Sequence, residues 1–410
     1  MNLLFVHQNF PGQFRHIAAH FAADPAHRVV AMGEAANLKR ATGLHPRIEL
    51  CPCPAPAPAA SATHRYLRGY EAAIHRGLQC ARIATRLKAG GFRPDLVVAH
   101  PGWGEALFLR DVFPDARLVL YAEYYYHATG ADVGFDPEFP PAADDPFRVR
   151  IKNTTQWMSM EQADLLLAPT QWQKSRFPDL VQDRLRVVHD GIDTGRVAPN
   201  PSARIALVKA GITLGAEDEV VTYVARNLEP YRGFHIFMRA LPQLLKLRPQ
   251  ARVLIVGGDQ VSYGSKPADG RTWRKTMSDE IGSNVDKSRV HFLGRLPYVD
   301  YLRLLQISTV HAYLTYPFVL SWSLLEAMAA GCMVVGSRTA PVEEVIRHGG
   351  NGWLVDFLDH EALAATLAQA IEQRDTLTPI RAAARQTIVD DFDLKTRCLP
   401  QQLELLQGGL

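Results

Sequence analysis

Residues 316–338 carry a pattern that can bind an anion at the start of a helix. A helix is predicted from Ser321, it ends at Gly331, and a strand over residues 333–336 follows it. The first backbone N–H groups of this helix and the positive end of its dipole favour a diphosphate. Glu326, between one and two turns further on, can accept hydrogen bonds from ribose hydroxyls. Taken alone, Glu326 is equally compatible with a solvated position on a helix.

Two arginines lie six residues apart in a second segment, residues 224–233, at the end of a predicted strand. Arg226 and Arg232 flank Pro230, so a loop can direct both guanidinium groups at one anion. There they would donate charge-assisted hydrogen bonds to its oxygens. An isolated pair of arginines is compatible with two surface residues, but Glu326 in the same half of the chain favours the anion site.

Short apolar runs that alternate with amphipathic helical patterns surround these segments, as is typical of buried parallel strands. In the first half such runs occupy residues 3–6, 29–32, 96–99, 118–121, 165–168 and 186–188. The pattern restarts after residue 193, with runs over residues 220–225, 252–257, 290–292, 310–313, 333–336 and 353–355. We therefore predict an α/β protein with two Rossmann-like, doubly wound parallel-sheet domains. Ligands of such sheets bind outside the carboxyl ends of the strands, so we expect the site in a cleft that the two sheets face.

Three predicted parts follow from this pattern. Residues 1–189 form an N-terminal Rossmann-like domain, residues 190–390 form a second one, and residues 391–410 form a terminal helix that could pack back on the first domain. The Pro- and Ala-rich residues 51–61, with Cys51 and Cys53, are predicted to be an extended connecting loop. The D-x-D at residues 391–393 is predicted to start a helix rather than to bind a metal.

Composition excludes several classes of protein. The 410 residues carry a net charge of +3 without the dense basic block of a nucleic-acid binder. Five scattered cysteines do not form a secreted disulfide framework or a zinc ribbon. We expect neither a signal peptide nor a membrane span, and hence a cytoplasmic protein. The helix predicted over residues 65–88 has an apolar stripe and several arginines, which suits a solvated face or peripheral contact with anionic lipid at the inner membrane face.

The two motifs resemble those of the family-four retaining glycosyltransferases, group 1 of the GT-B superfamily. Glu326 matches the second glutamate of the E-x7-E motif, which in the family binds ribose. The first glutamate, which in the family contacts the donor sugar, falls on Phe318, and the glycine of the usual F-G-L falls on Ser321. The arginine segment resembles G-R-x-x-x-x-K-G, with Arg232 in place of lysine and one residue inserted. The matches span roughly residues 190–360.

The resemblance implies a nucleoside-diphosphate sugar as donor, with uridine, guanosine or adenosine as its base. Gly257 and Asp259 match the V-G-x-G turn, and Arg295 and Leu296 belong to a segment whose backbone holds the base in the family. The expected donor-binding residues are Gly12, Gly257, Asp259, Arg295, Leu296, Leu320, Ser321, Trp322 and Glu326.

The first half contributes fewer signals. Residues 7–14 follow the first strand without a G-x-G-x-x-G pattern, which disfavours a dehydrogenase, and Gly12 lets the backbone approach the donor phosphate or the acceptor. His100 and Glu123 each close a predicted strand, where reacting residues are expected. Both are expected to touch the transferred sugar or the acceptor, with a structural hydrogen bond as the alternative. Whether His100 or His127 replaces the histidine that family members have near Glu123 stays open.

The resemblance also implies retention of the anomeric configuration. Arg226, Arg232 and the helix amides would stabilise the charge on the leaving diphosphate, without a metal or other cofactor. The leaving phosphate oxygen would then take the proton of the acceptor hydroxyl on the same face. His100 and Glu123 complete the expected catalytic residues. A sugar-nucleotide epimerase with the GT-B fold and a non-catalytic sugar-nucleotide-binding protein are the two alternatives. Polysaccharide, glycolipid and small-metabolite acceptors all fit the sequence.

Overall fold

A computed structural model describes residues 1–408, which form two compact units. The first unit comprises Met1–Gly134, Phe139–Gly191 and Lys395–Leu410, and the second comprises Phe135–Glu138 and Ile192–Leu394. Gly409 and Leu410, which the predicted terminal part over residues 391–410 included, lie outside the described residues. The segment Phe135–Glu138 belongs to the second unit although it interrupts the first, a feature that a single boundary near residue 190 did not include.

The first unit is built on a seven-stranded parallel sheet in the order β3-β2-β1-β4-β5-β6-β7. Its strands are β1 (Asn2–Val6), β2 (Arg28–Glu34), β3 (Ile48–Cys53), β4 (Leu96–Ala99), β5 (Arg117–Tyr121), β6 (Leu165–Ala168) and β7 (Leu185–Val187). Its helices are α1 (Arg15–Ala23), α2 (Ala35–Leu38), α3 (Arg68–Ala89), α4 (Leu109–Val112), α5 (Asp145–Lys152), α6 (Thr154–Glu161), α7 (Gln171–Ser175) and α8 (Asp179–Gln182). The final helix of the chain, Leu399–Gln407, also belongs to this unit.

The strands of the first sheet are apolar along their whole length because both faces of the sheet are covered. In β1, Leu4 and Val6 join one core, whereas Leu3 and Phe5 join the core on the opposite face. Alternate side chains of a strand point to opposite faces, so a strand covered on both sides cannot alternate apolar with polar residues. This burial is the reason that short apolar runs predicted the strands.

The second unit is built on a six-stranded parallel sheet in the order β12-β11-β10-β13-β14-β15, preceded by the antiparallel hairpin β8-β9. Its strands are β8 (Arg204–Leu207), β9 (Ile212–Gly215), β10 (Val220–Asn227), β11 (Arg252–Gly258), β12 (Val290–Gly294), β13 (Val310–Tyr313), β14 (Met333–Ser337) and β15 (Trp353–Val355). Its helices are α9 (Phe234–Leu247), α10 (Trp273–Ile281), α11 (Tyr298–Gln306), α12 (Trp322–Ala329), α13 (Ala340–Glu343), α14 (His360–Glu372) and α15 (Thr378–Asp391); the terminal helix Leu399–Gln407 is α16.

One local prediction is wrong. Cys51 and Cys53 lie in β3, which pairs with β2, and not in a connecting loop. β3 is the edge strand of its sheet, a position that tolerates Pro52 because one side of the strand needs no donor. The D-x-D at residues 391–393 lies where one helix ends and the next begins: Asp391 is the last residue of α15, and a π-helix, Leu394–Cys398, starts directly after Asp393 and leads into the terminal helix Leu399–Gln407, as the predicted helix start requires.

The predicted α/β class with two doubly wound parallel sheets is confirmed. Both sheets reverse their strand order once, between β1 and β4 in the first unit and between β10 and β13 in the second. The crevice beyond the carboxyl ends of the strands at such a reversal is where ligands of open α/β sheets bind. No helix within residues 1–408 combines the length and the hydrophobicity that a membrane crossing requires.

Candidate active site

Two buried histidines follow the two strands at which the first sheet reverses. His7 follows β1 and His100 follows β4, and their ring centroids lie 5.2 Å apart. The sheet order therefore brings together two imidazoles that are 93 positions apart in the sequence. They lie at the carboxyl ends of the strands, where this type of sheet binds its ligand.

A chain of hydrogen bonds joins His7 to Glu123, the second residue after β5. Nδ1 of His7 accepts the N–H of Asn9 at 2.9 Å, so the proton of the neutral ring is on Nε2, which lies 2.9 Å from Oε1 of Gln13. Nε2 of Gln13 in turn donates to Oε1 of Glu123 at 2.8 Å. Sequence reasoning did not assign His7 or Gln13, although polar residues directly after a buried central strand are the signal that identifies them.

His100 lies beside the other oxygen of Glu123. Its Nδ1 accepts the N–H of Gly102 at 3.0 Å, so Nε2 carries the proton and lies 3.4 Å from Oε2 of Glu123. The ring stacks on Trp103 with centroids 4.3 Å apart. Nε2 has no aligned hydrogen-bond partner among the residues that the structure describes. His100 and Glu123 thus present a buried N–H donor and a carboxylate acceptor side by side, a pair suited to sugar hydroxyls.

Glu123 is an ionised carboxylate in this arrangement. Burial opposes its ionisation, but the contact with His100, the nearby His7 ring and the hydrogen bond from Gln13 hold its pKa below its usual range. About a third of its side chain, 32%, is exposed, so a ligand can reach it.

Gly12 lies against the His7 ring with a backbone that only glycine adopts easily. Its φ is +45°, and a Cβ atom there would lie 2.7 Å from Cε1 and Nε2 of His7. The glycine therefore allows the loop after β1 to close over His7. The structure gives Gly12 this packing role; contact with a donor stays a prediction.

The reversal point of the second sheet holds the buried Arg232. The guanidinium lies beyond β10, and its Nη1 atom donates to Oγ1 of Thr315 at 2.8 Å and to the carbonyl of Val319 at 3.0 Å. Thr315 and Val319 lie between β13 and α12. Arg232 therefore occupies the carboxyl ends of the two strands at which the order of this sheet reverses.

The start of α12 is tied to the same place. The hydroxyl of Tyr313, at the end of β13, accepts the N–H of Ser321 at 2.9 Å and lies 3.5 Å from Nη1 of Arg232. The guanidinium also lies over the Tyr263 ring, 5.4 Å from its centroid. Burial disfavours the charge of Arg232, but the surrounding tyrosine hydroxyls raise its pKa above the ordinary value. A permanent cation thus lies next to the N-terminus of a helix that begins at Trp322.

Glu326 lies on α12 with both carboxylate oxygens already accepting hydrogen bonds. The hydroxyl of Tyr298 donates to Oε1 at 2.6 Å and that of Tyr301 donates to Oε2 at 2.7 Å. Burial raises the pKa of Glu326, while the two tyrosines oppose that rise. Each carboxylate oxygen has a second lone pair, so the tyrosines orient the group without excluding a further donor.

Asn227, the last residue of β10, contacts the expected donor-binding residue Arg295 and lies against Gly258, the neighbour of Gly257. Its Oδ1 accepts from Nη2 of Arg295 at 3.0 Å, and a Cβ on Gly258 would lie 2.6 Å from that same oxygen. Gly257 is equally confined, because a Cβ there would lie 2.9 Å from the carbonyl of Ala225. Asp259 is paired with Arg274 at 2.9 Å. Asn227 was not singled out from the sequence, although it lies within the arginine segment.

Phe318, which occupies the position of the family's first glutamate, is a buried core residue. Its ring packs edge-on against Tyr263 at 4.9 Å and against Tyr231 at 5.5 Å. Oε1 of the buried Glu229 accepts the N–H of Ser262 at 3.0 Å, which holds the loop that carries Tyr263. A carboxylate in place of Phe318 would be surrounded by aromatic rings and poorly solvated.

The remaining expected residues lie at other positions in the two units. Leu296 and Leu320 are partly buried against the core, and Trp322 is exposed. Arg226 is exposed on β10, and no hydrogen bond or ion pair within residues 1–408 joins it to Arg232. In the first unit, Nε2 of His127 lies 2.6 Å from the carbonyl of Arg176, which directs it to the loop after α7.

One group of side chains has the spacing of a metal site, but the negative charges of its carboxylates are already balanced by neighbouring side chains. Ligand atoms of Asp136, Glu138 and His235 lie within 4.8 Å of one another. Oδ2 of Asp136 lies 2.9 Å from Nε2 of His235 and accepts the hydroxyl of Tyr316 at 2.7 Å. Glu138 forms an ion pair with Arg239 at 2.6 Å. These partners already supply the positive charge and the hydrogen-bond donors that the two carboxylates need. A cation is not required to balance them, so we assign no metal to the group.

Comparison with known families identifies both halves of the chain. A family model described as glycosyl transferase family 4 group matches residues 25–197. A second model, glycosyl transferases group 1, matches residues 209–387. The two matches do not overlap. The first contains β4, one of the two strands at which the first sheet reverses, and the second contains β10 and β13, the two strands at which the second sheet reverses.

Curated relatives match part of the chain. The D-inositol 3-phosphate glycosyltransferase of Corynebacterium efficiens is 28% identical over 225 residues, which are 53% of this chain and 50% of the relative. The GDP-mannose-dependent alpha-(1-6)-phosphatidylinositol monomannoside mannosyltransferase of Mycolicibacterium smegmatis is 24% identical over 264 residues, which are 60% of this chain and 63% of the relative. The chain thus spans about half to less than two thirds of the length of these relatives.

Solved structures share the fold over nearly the whole chain. HepE of Anabaena, in complex with UDP and glucose, superposes with a TM-score of 0.71 at 19% identity, covering 99% of each chain. Sucrose-phosphate synthase of Thermosynechococcus elongatus superposes with a TM-score of 0.73 at 15% identity, covering 99% of this chain and 98% of that one. With both halves matched by glycosyltransferase models and the fold shared with these structures, the chain belongs to the group 1 glycosyltransferases of the GT-B fold.

Proposed function

We propose that this glycosyltransferase moves a sugar from a nucleoside-diphosphate sugar to a hydroxyl acceptor, with retention of configuration and without a metal. The observation that supports this most is the environment of Arg232. Its hydrogen-bond partners in the described part of the chain are the hydroxyls of Thr315 and Tyr313 and the carbonyl of Val319, all of them neutral. A buried guanidinium with neutral partners next to a helix N-terminus favours an anionic ligand, and a diphosphate fits both features.

The second unit would hold the donor. Arg232 and the first turn of α12 would bind the diphosphate, and Glu326 would accept hydrogen bonds from the ribose. Arg295 and Leu296 would border the base, and Gly257 would let the backbone approach it. The other proposed contacts are Asp259, Leu320, Ser321, Trp322 and Arg226, of which Arg226 has the least support because it is exposed on its strand.

The first unit would handle the transferred sugar and the acceptor. His100 and Glu123 offer one donor and one acceptor, and the bond from Gln13 fixes the carboxylate. Gly12 would lie beside the donor. As the bond from the sugar to the diphosphate breaks, Arg232 would stabilise the negative charge that develops on the leaving group, as preorganised electrostatic catalysis requires. The leaving phosphate oxygen would take the proton of the acceptor hydroxyl on the same face.

The names of the relatives narrow the substrate classes to test first. HepE has been crystallised with UDP-glucose, and the Mycolicibacterium relative is named as GDP-mannose-dependent. The relatives named for D-inositol 3-phosphate and phosphatidylinositol monomannoside direct the acceptor search to phosphorylated polyols and glycolipids, beside polysaccharides. We also propose peripheral contact of the first unit with anionic lipid through α3, which exposes Arg68 and Leu78, and through Leu67, the exposed residue directly before it.

Product analysis across a donor panel tests the proposal. The full chain would be incubated with UDP-, GDP- and ADP-sugars in the presence of EDTA, first alone and then with the acceptors above. We expect slow donor hydrolysis with one nucleotide class, and transfer with the same anomeric configuration by NMR. An isomerised donor without acceptor would indicate an epimerase, and binding without either reaction would indicate a non-catalytic protein.

A further inference from the structure

Two thiols of the first unit lie in contact next to a small pocket. Cys53, the last residue of β3, and Cys80, on α3, have their Sγ atoms 3.7 Å apart. Both side chains are buried, and both are free thiols. The two sulfur atoms need only a small movement to reach the roughly 2 Å length of a disulfide bond. The pair is therefore placed for oxidation between an edge strand and a helix.

The pocket beside the thiols contains the buried carboxyl group of Glu105. It is lined by Glu34, Cys53, Pro54, Arg76, Cys80 and Glu105. Glu105 is 2% exposed, and neither of its oxygens has a hydrogen-bond partner in the part of the chain that the structure describes. Its nearest cation, Nε of Arg76, lies 3.4 Å away without alignment. Pro54 is exposed and Glu34 is half-buried, so the lining reaches the surface on their side, and the cavity, of about 10 Å³, has to widen there to admit a peroxide.

We propose that Cys53 and Cys80 are a peroxide-sensitive pair, which hydrogen peroxide converts into a disulfide between β3 and α3. Cys53 is the thiol that reacts first with the peroxide, because its contact with the Cys80 thiol lowers its pKa. Cys80, whose pKa is raised by the same contact and by burial, is the resolving thiol. A reactive thiol with a resolving partner in contact is the arrangement of redox-sensing cysteines.

The oxidation of the two thiols proceeds in two steps in which every proton and leaving group is accounted for. Glu105 shares the pocket with Cys53 and its charge acts on that thiol, so in the proposed step its carboxylate takes the Cys53 proton, and the thiolate attacks one oxygen of hydrogen peroxide. The O–O bond breaks, Cys53 becomes a sulfenic acid, and the departing hydroxide takes the proton from Glu105 and leaves as water. Cys80 then attacks the Cys53 sulfur, the S–O bond breaks, and the second hydroxide leaves with the Cys80 proton as water. Two thiols are oxidised and one peroxide is reduced to two waters.

The helix that carries Cys80 supports the loop of His100. Arg76, one turn before Cys80 on α3, donates to the carbonyl of Trp103 at 2.7 Å, and Trp103 stacks on His100. Gly77 approaches the same loop so closely that a Cβ would lie 2.7 Å from the carbonyl of Gly104. A disulfide at Cys80 would therefore fix the helix against which this loop is packed. Oxidation of the two thiols does not depend on which donor or acceptor the protein binds.

Peptide mapping of the oxidised full chain tests the proposal. The protein would be treated with hydrogen peroxide, quenched with catalase, alkylated and digested with trypsin. Cleavage after Arg47, Arg65, Arg76 and Arg82 separates the two cysteines into residues 48–65 and residues 77–82. We expect these peptides to be joined, with fragmentation placing the link at Cys53, and to separate after treatment with dithiothreitol.

Matched variants assign the link. Cys51→Ser, on the same strand, is expected to keep it, whereas Cys53→Ser and Cys80→Ser abolish it; Cys53→Ala and Cys80→Ala serve where serine prevents folding. Glu105→Gln is expected to slow formation of the link at least tenfold. The proposal is overturned if both thiols stay alkylatable after peroxide, or if the link requires Cys51 rather than Cys53. An unchanged rate in Glu105→Gln overturns the proton route through Glu105.

Discussion

Nη1 of Arg232 lies 3.0 Å from the carbonyl oxygen of Val319, two residues before Ser321, where α12 is about to begin. This contact joins the loop after β10 to the loop after β13, the two strands at which the sheet order reverses. It also fixes a guanidinium at the positive end of a helix, where like charge would be unfavourable without an anion. The proposed diphosphate site depends on this contact.

Replacement of Arg232 by alanine is expected to reduce turnover far more than donor affinity. A cation that stabilises charge developing on the leaving group acts mainly in the transition state, so kcat should fall by about 10²- to 10³-fold. Steady-state kinetics with a titrated donor would measure both effects. Arg232→Lys, which keeps the charge, is the control, and a thermal melt shows whether the fold survives. Equal losses in kcat and affinity would contradict a catalytic role.

Replacement of Glu326 by glutamine is expected to weaken binding of the free nucleoside diphosphate by about tenfold or more. The amide keeps the shape of the side chain but loses the charge-assisted hydrogen bonds to ribose hydroxyls. Calorimetric titration would measure the loss. Tyr298→Phe removes one hydroxyl that orients the carboxylate without removing the charge, so we expect a smaller effect there. Unchanged affinity in Glu326→Gln would remove Glu326 from the ribose site.

Gly12→Ala is expected to lower turnover by at least tenfold, because the new methyl group displaces the His7 ring and breaks its hydrogen bond to Gln13. Gly43→Ala is a matched control: its φ of +69° imposes a similar backbone strain, but the nearest heavy atom to its Cβ is 3.9 Å away. Kinetics and melting temperatures of the two variants would be compared. Equal effects of both substitutions would show that backbone strain, and not the His7 contact, matters.

Glu105 gives a prediction about stability and pH. Burial raises its pKa to about 7, against 4.5 for an ordinary glutamate, while Arg76 opposes the rise. Between these values the folded state binds more protons than the unfolded state, so stability falls as pH rises from about 4.5 to about 7. From pH 5 to pH 8 the folded state loses about 2 to 3 kcal/mol of stability through Glu105. Urea unfolding should show that loss in the wild type and not in Glu105→Gln; the same pH dependence in both would contradict it.

The fold and the second unit's motifs could be predicted because their signals are local. A strand that is buried on both faces is visible in the sequence as a run of apolar residues. The start of a helix is visible as the change from a polar loop to an apolar periodic segment. The edge strand β3 was missed because Pro52 and Pro54 indicate a loop, and nothing in the sequence tells that the strand has only one neighbour.

The contacts within the site could not be predicted because the order of the strands creates them. His7, His100 and Glu123 meet only because β1, β4 and β5 are neighbours in the sheet. The same holds for Arg232 and Val319, which are 87 positions apart. For Arg226, proximity in sequence to Arg232 suggests convergence on one anion; its side chain is exposed on β10, and the convergence stays a prediction.

The most direct test of the account is binding of free UDP, GDP and ADP to the full chain in the presence of EDTA, measured by titration calorimetry. We predict that one of the three binds without metal, and that Arg232→Ala and Glu326→Gln each weaken that binding in proteins that melt cooperatively. Binding of none of the three, or binding that neither substitution changes, would contradict the donor site assigned to the second unit.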